Sequence, residues 1–309
     1  MREYLANTGT VEVLVLLATY NGGLWLEEQL RTIFDQRNVR VRVVASDDGS
    51  LDDTIAILER AESRYDLRLL GSWPGAGCAA GNFGRLISQA PLARADFVAF
   101  ADQDDTWDAD KLARAVTALE RTGSAGYSSR TLAVWPDGRS RVVGAVPNHS
   151  PGDFFFEGAG QGCTFVMRRA AFELARAAVE RHASLSLRMT FHDWMIYVVF
   201  RAMEMPWFFD PKPSLRYRQH QGNALGSRGG WASTRRRLAL MRTGWLRAQL
   251  NAAFDLAQAV NPRMPELERF AKARLAGGIK WFGYLAFRSR RRRSDRLVLV
   301  AAALLGWLR

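Results

Sequence analysis

Apolar and polar positions alternate in blocks from the N-terminal region through Arg121. The run "VEVLVLLATYNGG" is nearly all apolar before it breaks into turn residues, the pattern of a strand buried on both faces of a parallel sheet. In "LWLEEQLRTIFDQ", Leu26, Leu30 and Ile33 recur at helical spacing. "VRVRVVASDDGS" and "DDTIAILERAESR" repeat strand and helix, and Ser50 or Asp52 can cap the second helix by accepting from its free N–H groups. "LRLLG" with "GNFGRLISQA" and "ADFVAFADQDD" with "DADKLARAVTALER" give two further pairs. This alternation predicts an α/β fold: a mostly parallel, doubly wound, Rossmann-like sheet with right-handed crossovers.

Beyond Tyr127 the pattern becomes mixed. "TLAVWPDGRS" and "RVVGAV" read as a hairpin, "QGCTFVMRRAAFELARAA" as strand into helix, "HDWMIYVVFRAM" as a helix, and "PWFFD" and "PSLRYRQH" as two strands. From about Ala232 the sequence reads as helical with arginine-rich polar faces, so a composition boundary falls near Gly230. No internal repeat or low-complexity linker interrupts the chain.

With 309 residues, 48% of them apolar, the chain can bury a sizeable core. Its two cysteines, Cys78 and Cys163, form neither a disulfide framework nor a CxxC pair, which fits a reducing cytoplasm. The net charge of +12 is compatible with nucleic acid, an anionic membrane or an anionic small substrate. The basic excess gathers late, at "STRRRLALMRTGWLR" and at "FRSRRRRSDR" ahead of "LVLVAAALLGWL". That final apolar run is too short to span a bilayer, and no signal peptide precedes "VEVLVLL".

Ligands of doubly wound sheets bind beyond the carboxyl ends of the strands. Those ends carry "ATYNGG", "SDDGS" and "ADQDD", three polar clusters converging on one edge. Crowded carboxylates repel one another unless a cation or water takes up the charge. Asp105 or Asp108 read as a helix cap with a solvated loop around it is the plain alternative. Mg²⁺ and Mn²⁺ favour one or two carboxylates together with substrate phosphate oxygens, and Asp102 and Asp104 can offer one carboxylate to a nucleotide and one to a metal.

Four motifs in order, "ATYNG", "SDDGSLDDT", "FADQDDTW" and "HDW", resemble those of the family 2 glycosyltransferases, inverting enzymes of GT-A fold that use nucleotide sugars. "DQDDxW" followed by "YRQHQGNALG" is similar to the bacterial branch that includes rhamnosyltransferases of surface-polysaccharide and O-antigen assembly; the resemblance covers about Val13 to Gly226. It implies a GT-A catalytic domain over residues 1–230 and a basic helical extension over 231–309. It also implies a metal-dependent transfer, with Mn²⁺ or Mg²⁺, of a sugar from dTDP-rhamnose or a UDP-hexose to a glycan or lipid-linked acceptor. By the same resemblance Thr19, Tyr20, Asn21, Asp47, Asp48, Asn82 and Asp102 serve the nucleotide, with Asp48 accepting from the base. Asp102, Asp104 and His220 serve the metal. Asp193 matches the catalytic-base position, with His192 tuning it or capping a helix, and Gln161, Gly162, Thr164, Trp194 and Arg218 meet acceptor, sugar or diphosphate.

The alternatives are a metal-dependent sugar-nucleotide hydrolase or phosphatase and a non-catalytic protein bound to anionic membranes. A phosphatase needs an aspartyl nucleophile after the first strand, where "ATYNG" stands. Acidic strand ends speak against a nucleic-acid partner. For the tail, two readings remain: Arg288, Arg290, Arg291, Arg292, Arg293 and Arg296 with the apolar end attach the enzyme peripherally to the inner face of the membrane, or the helices pack as structure or as a homodimer contact.

Overall fold

The computed structural model describes residues 10–71, 73–144, 150–220 and 243–307. Strands β1 (Glu12–Thr19), β2 (Arg40–Asp47), β3 (Leu67–Leu69) and β4 (Phe97–Asp102) run parallel in the order β3-β2-β1-β4, joined by helices α1 (Leu26–Phe34), α2 (Thr54–Glu62) and α3 (Ala79–Gln89). The continuous apolar run of β1 has a direct cause. Val13, Val15 and Leu17 face one core with residues of α1 and α2, whereas Leu14, Leu16 and Ala18 face a second core with residues of α3. A strand covered on both faces has no solvent side on which to place polar residues. Asp52 caps α2 as expected, accepting from the Thr54 N–H at 3.1 Å; Ser50 instead ties down the preceding turn.

After β4 come β5 (Thr106–Trp107), α4 (Lys111–Thr122), β6 (Gly126–Val134), β7 (Ser140–Val143), β8 (Val166–Arg168), α5 (Arg169–Arg181), α6 (Ala183–Ser186), α7 (His192–Ala202) and β9 (Trp207–Arg218). The sheet continues past β4 in the order β8-β6-β9-β5, with β7 on β6. Here β8 is antiparallel to both β4 and β6, so the parallel block turns mixed at its β4 edge. The hairpin expected after Tyr127 is β6 with β7. The two strands expected from Trp207 onward are one strand, β9, which slips register against β6 between Asp210 and Pro213. Pro211 and Pro213 lack the N–H that a ladder requires, so the chain bulges there and then resumes pairing.

The C-terminal part consists of α8 (Trp245–Val260), α9 (Pro265–Ala276), α10 (Gly278–Tyr284), a π-helical turn over Leu285–Ser289, and α11 (Arg293–Leu304). The boundary near Gly230, the "STRRRLALMR" stretch and the "QGNALG" segment lie outside the described residues. Buried residues of all these helices belong to the same core as the even face of β1. Phe270 of α9 stacks near Phe155 and Trp281, at 4.6 and 5.5 Å between ring centres, closing an aromatic cluster over a 3₁₀ turn at Asp153–Phe155.

The arginines that read as a surface patch are largely engaged within the fold. Arg288 pairs with Glu266, Arg290 with Asp295, Arg291 with Asp153, and Arg292 donates to the Gly144 carbonyl. Arg296 donates to the Arg290 carbonyl. Sequence reads a charge run as solvated because it cannot see the carboxylates that meet it from distant elements.

Candidate active site

Parallel register brings the three polar strand ends level. Thr19 lies opposite Asp47, and Ala18 opposite Asp102. At the first end, Asp47 is spent on the turn that follows it: Oδ1 accepts from Thr19 Oγ1 at 2.8 Å and Ser50 Oγ at 2.6 Å, and Oδ2 from the N–H groups of Gly49 and Ser50 at 3.0 and 2.7 Å. Asp47 thus shapes the turn at the end of β2 and ties it to β1. Its neighbour Asp48 accepts through Oδ1 from the Ala76 N–H, which draws the segment after β3 over the edge. Asn82 is buried and donates to the carbonyls of Thr19 and Ser46 at 3.0 and 2.9 Å, so it fastens β1 to β2 from below. Asn21 takes a left-handed backbone, φ 47°, and its Oδ1 accepts from the Leu51 N–H at 2.8 Å. Tyr20 is left 53% exposed at the rim, with its ring free to lie against a ligand.

The residue between the paired acids, Gln103, does more than separate them. Its Oε1 accepts from the Tyr20 N–H at 2.6 Å and its Nε2 donates to the Tyr20 carbonyl at 2.7 Å, a two-bond clasp between the ends of β1 and β4. It explains Gly22: a Cβ there would lie 2.3 Å from Gln103 Oε1. From the other side, α1 holds the acidic loop with a polar stripe. Gln29 donates to the Asp102 carbonyl at 2.8 Å, Thr32 Oγ1 accepts from the Trp107 N–H at 3.1 Å, and Gln36, just past the helix end, donates to the Asp108 carbonyl at 2.9 Å. Residues three and four apart share a helix face, so these positions were visible as a stripe, but nothing in the sequence says what they hold.

Within that loop the carboxylates divide. Asp104 Oδ2 lies 2.8 Å from His220 Nε2, and the imidazole stacks on Trp25 at 4.2 Å between ring centres. Arg218 reaches back from the end of β9 to donate to the Asp104 carbonyl at 3.1 Å and to Glu28 at 2.7 Å. A carboxylate and an imidazole side by side suit Mn²⁺ or Mg²⁺ with nucleotide phosphates completing the shell. Asp105, which as a cap would face water, is buried with neither oxygen hydrogen-bonded among the described residues. Oxygens of Asp102 and Asp105 and the Cys163 thiol all lie within 4.8 Å of one another. Lys111 is buried against this group, its Nζ 3.4 Å from the centre of the Trp107 ring. Burial pushes its pKa down to about 7, opposed by the nearby Cys163 and Asp105. A thiol and a buried lysine make that group a poor cradle for a hard cation, whereas Asp104 and His220 offer a donor pair that suits one. Asp105, Lys111 and Cys163 were missed as a unit because they come from three separate elements.

Burial and then the charges of Asp104 and Asp193 raise the Asp102 pKa. His192 of the "HDW" motif lies 5.5 Å from Phe100 of β4 between ring centres, which brings the motif to the same edge. Asp193 stands in the first turn of α7, where Oδ1 accepts from the Trp194 N–H at 2.6 Å and Oδ2 from the Gly162 N–H at 3.1 Å. Burial lifts its pKa to about 6 against these N–H bonds, which favour the carboxylate. His192 lies face to face on Phe83 at 3.6 Å, and burial lowers its pKa to about 3, so the imidazole is neutral.

Two expected acceptor contacts are internal instead. Trp194 is 5% exposed and donates to the Phe154 carbonyl at 2.7 Å: a tryptophan at this point of α7 faces the core, and its N–H needs a partner there. Thr164 is fully buried, its Oγ1 bonded to the Gln161 carbonyl at 2.7 Å to close the 3₁₀ turn over Gly162–Thr164. Gln161 and Gly162 remain beside Asp193. Gly162→Ala tests this packing, because the added Cβ would lie 2.6 Å from His192 Nε2 and 3.2 Å from Asp193 Cβ, with the imidazole pinned by its stack. The substitution is expected to lower transfer by about a hundredfold through displacement of the carboxylate while nucleotide affinity, read by calorimetry, stays within about twofold; wild-type turnover would show that the cradle tolerates the shift.

Comparison with known proteins gives the family and the fold. The family described as Glycosyl transferase family 2 matches residues 14–173. A protein named dTDP-rhamnosyl transferase RfbG, from Shigella flexneri, is 35% identical over 236 residues, covering 76% of this chain and 82% of that one. Among solved structures, S. aureus TarS 1–349 in complex with UDP superposes with a TM-score of 0.54 at 15% identity, over 96% of this chain and 80% of that one. The mannosyltransferase PcManGT from Pyrobaculum calidifontis, in complex with GDP-Man and Mn²⁺, gives 0.53 at 19% identity, over 98% and 91%. At these identities the two structures speak to the fold, which is GT-A.

Proposed function

The chain belongs to glycosyl transferase family 2 and is a glycosyltransferase, and on that premise we propose that it transfers rhamnose from dTDP-rhamnose, with inversion and with Asp193 as the base, to a glycan or lipid-linked acceptor. The observation that carries the reading is the Asp193 carboxylate: it is held by two backbone N–H groups, burial raises its pKa to about 6, and its charge reaches Asp102 at the end of β4. A general base works best with a pKa near the operating pH. Asp193 removes the proton of the acceptor hydroxyl as that oxygen bonds to the anomeric carbon and the bond from this carbon to the diphosphate oxygen breaks. The base opposite the leaving group gives inversion, through an electron-poor centre of oxocarbenium character.

The donor is bound at the ends of β1 and β2, with Tyr20 against the base and the second oxygen of Asp48 accepting from the base imide. Asp102 serves the nucleotide, and Arg218 lies on the diphosphate side. Asp104 and His220 would hold the divalent cation, which when bound neutralises charge gathering on the departing diphosphate. The relative named for dTDP-rhamnose supports that donor over a UDP-hexose.

For the C-terminal helices we propose peripheral attachment to an anionic membrane surface through apolar side chains rather than through the arginine run. Leu275, Ile279 and Phe287 are 92%, 90% and 75% exposed, and Leu297 and Leu304 of α11, with Leu305 just after it, are all above 60%. Lys272, Lys280 and Arg293 are exposed along the same helices. An exposed apolar face with cations beside it suits a headgroup interface, where burial and charge act together. No helix among the described residues is long and apolar enough to cross a membrane.

Three outcomes are expected. Asp193→Asn retains donor affinity and loses transfer by roughly a hundredfold or more; in the wild type kcat falls as the pH drops through about 6, since the base acts ionised and is protonated below its pKa. Wild-type turnover in Asp193→Asn moves the base elsewhere. In calorimetry dTDP binds more tightly with Mn²⁺, and Asp104→Ala removes that gain; a gain that persists in the variant excludes Asp104 as a ligand. The intact chain co-sediments with phosphatidylglycerol vesicles and Ile279→Ser with Phe287→Ser weakens this, whereas a chain that ignores vesicles and forms a dimer lost in the same variant assigns the face to a second copy.

A further inference from the structure

Arg291 comes from the segment that reads as solvated tail, yet it is 5% exposed. Its Nη1 donates to Asp153 Oδ2 at 2.9 Å, its Nη2 to the Gly158 carbonyl, and its backbone N–H to Glu157 Oε1 at 2.7 Å, with Nε 3.4 Å from that oxygen. Burial opposes the charge, but Glu157 and Asp153 outweigh it, so the guanidinium is held charged above its ordinary pKa.

Two lines run from this node to Asp193. Asp153 is fully buried and its other oxygen accepts from Arg201 at 2.9 Å, while Tyr197 donates to it at 3.1 Å. Both Tyr197 and Arg201 belong to α7, the helix that presents Asp193. Along the second line, Glu157 and Gly158 begin the stretch that ends in the Gly162 N–H bonded to Asp193. Gly158 packs so closely that a Cβ there would lie 3.2 Å from Trp194 Cα. Next to Arg291, Arg292 donates to the Gly144 carbonyl at 2.9 Å, and a Cβ on Gly144 would lie 3.0 Å from Gln161 Oε1. The tail thus grips both walls around the carboxylate, the helix and the loop.

We propose that Arg291 is a positioning residue for the transfer reaction: it clamps the loop over residues 157–162 against α7 so that the Gly162 and Trp194 N–H groups meet Asp193 in its reactive orientation. The proposal rests on Asp193 being the base. A planar guanidinium reaches two carboxylates and a carbonyl at once, which the single ammonium of lysine does not. Buried ion pairs add little net stability compared with apolar packing, so fixing one loop conformation is the effect that distinguishes this node.

The test uses the full chain with Arg291→Lys, which keeps a charge but loses the fork, and Glu157→Gln, which weakens only the loop side. Both variants are expected to bind dTDP as the wild type does and to show an unchanged KM for the donor, with kcat reduced roughly tenfold or more, as small displacements of a reacting group do. In an Asp193→Asn background, Arg291→Lys should have no further effect on kcat, because it acts through that carboxylate. Unchanged kcat in both single variants, an equal loss in the Asp193→Asn background, or loss of dTDP binding in both overturns the proposal and assigns Arg291 to the fold. Wild-type turnover of Asp193→Asn alone instead removes the base reading, a separate failure.

Discussion

Everything at the functional edge depends on keeping several carboxylates together where water is partly excluded. Asp47, Asp102, Asp104, Asp105 and Asp193 converge there, and burial with mutual repulsion lifts Asp102 and Asp105 above the ordinary carboxylate range. Such crowding is unfavourable unless donors and cations meet each group. The protein answers each one differently. Asp47 is bonded mainly within its own turn, Asp193 accepts from two backbone N–H groups and Asp104 lies against an imidazole, whereas Asp102 and Asp105 keep pKa values raised by burial, Lys111 beside Asp105 being itself lowered to about 7.

That division assigns the work. Asp47 accepts four hydrogen bonds, three of them from its own turn and one from Thr19, whereas Asp193, with one backbone N–H on each oxygen, keeps a pKa raised by burial to about 6, in the range suited to exchanging a proton. The polar stripe of α1 and the Gln103 clasp hold in place a loop that carries charge, and the clasp explains why Gly22 has no room for a side chain. The same reasoning separates the arginines: Arg291 is enclosed by carboxylates, whereas Arg293 at the start of α11 is exposed.

The C-terminal helices are joined to the catalytic part by a shared core and by buried charge. Phe270, Trp281 and Tyr284 close over the Asp153–Phe155 turn, and Asp153 in turn holds Arg201 and Arg291. The outer side of the same helices keeps Leu275, Ile279 and Phe287 in solvent. One side of these helices is therefore part of the core, while Leu275, Ile279 and Phe287 lie outside it.

Sequence alone determined what local pattern and motif order can encode. The continuous apolar runs of β1 and β4 predicted a sheet buried on both faces, and turn residues after each strand placed "ATYNG", "SDDGS" and "ADQDD" on one edge, because parallel strands put their carboxyl ends together. Motif order pointed to the family. Tertiary structure alone decided which way each polar group faces. Trp194 and Thr164 sit within the motifs yet turn inward, since a helix or 3₁₀ turn packed on the sheet buries one side whatever its motif. Asp105, Lys111 and Cys163 meet only because the Gly162 turn packs on β4 and α4 packs on the neighbouring strands β6, β8 and β9, and Arg291 finds Asp153 across 138 residues of chain. Contacts of that separation leave no periodicity to read, so charge runs and acidic clusters acquire meaning only when the fold supplies their partners.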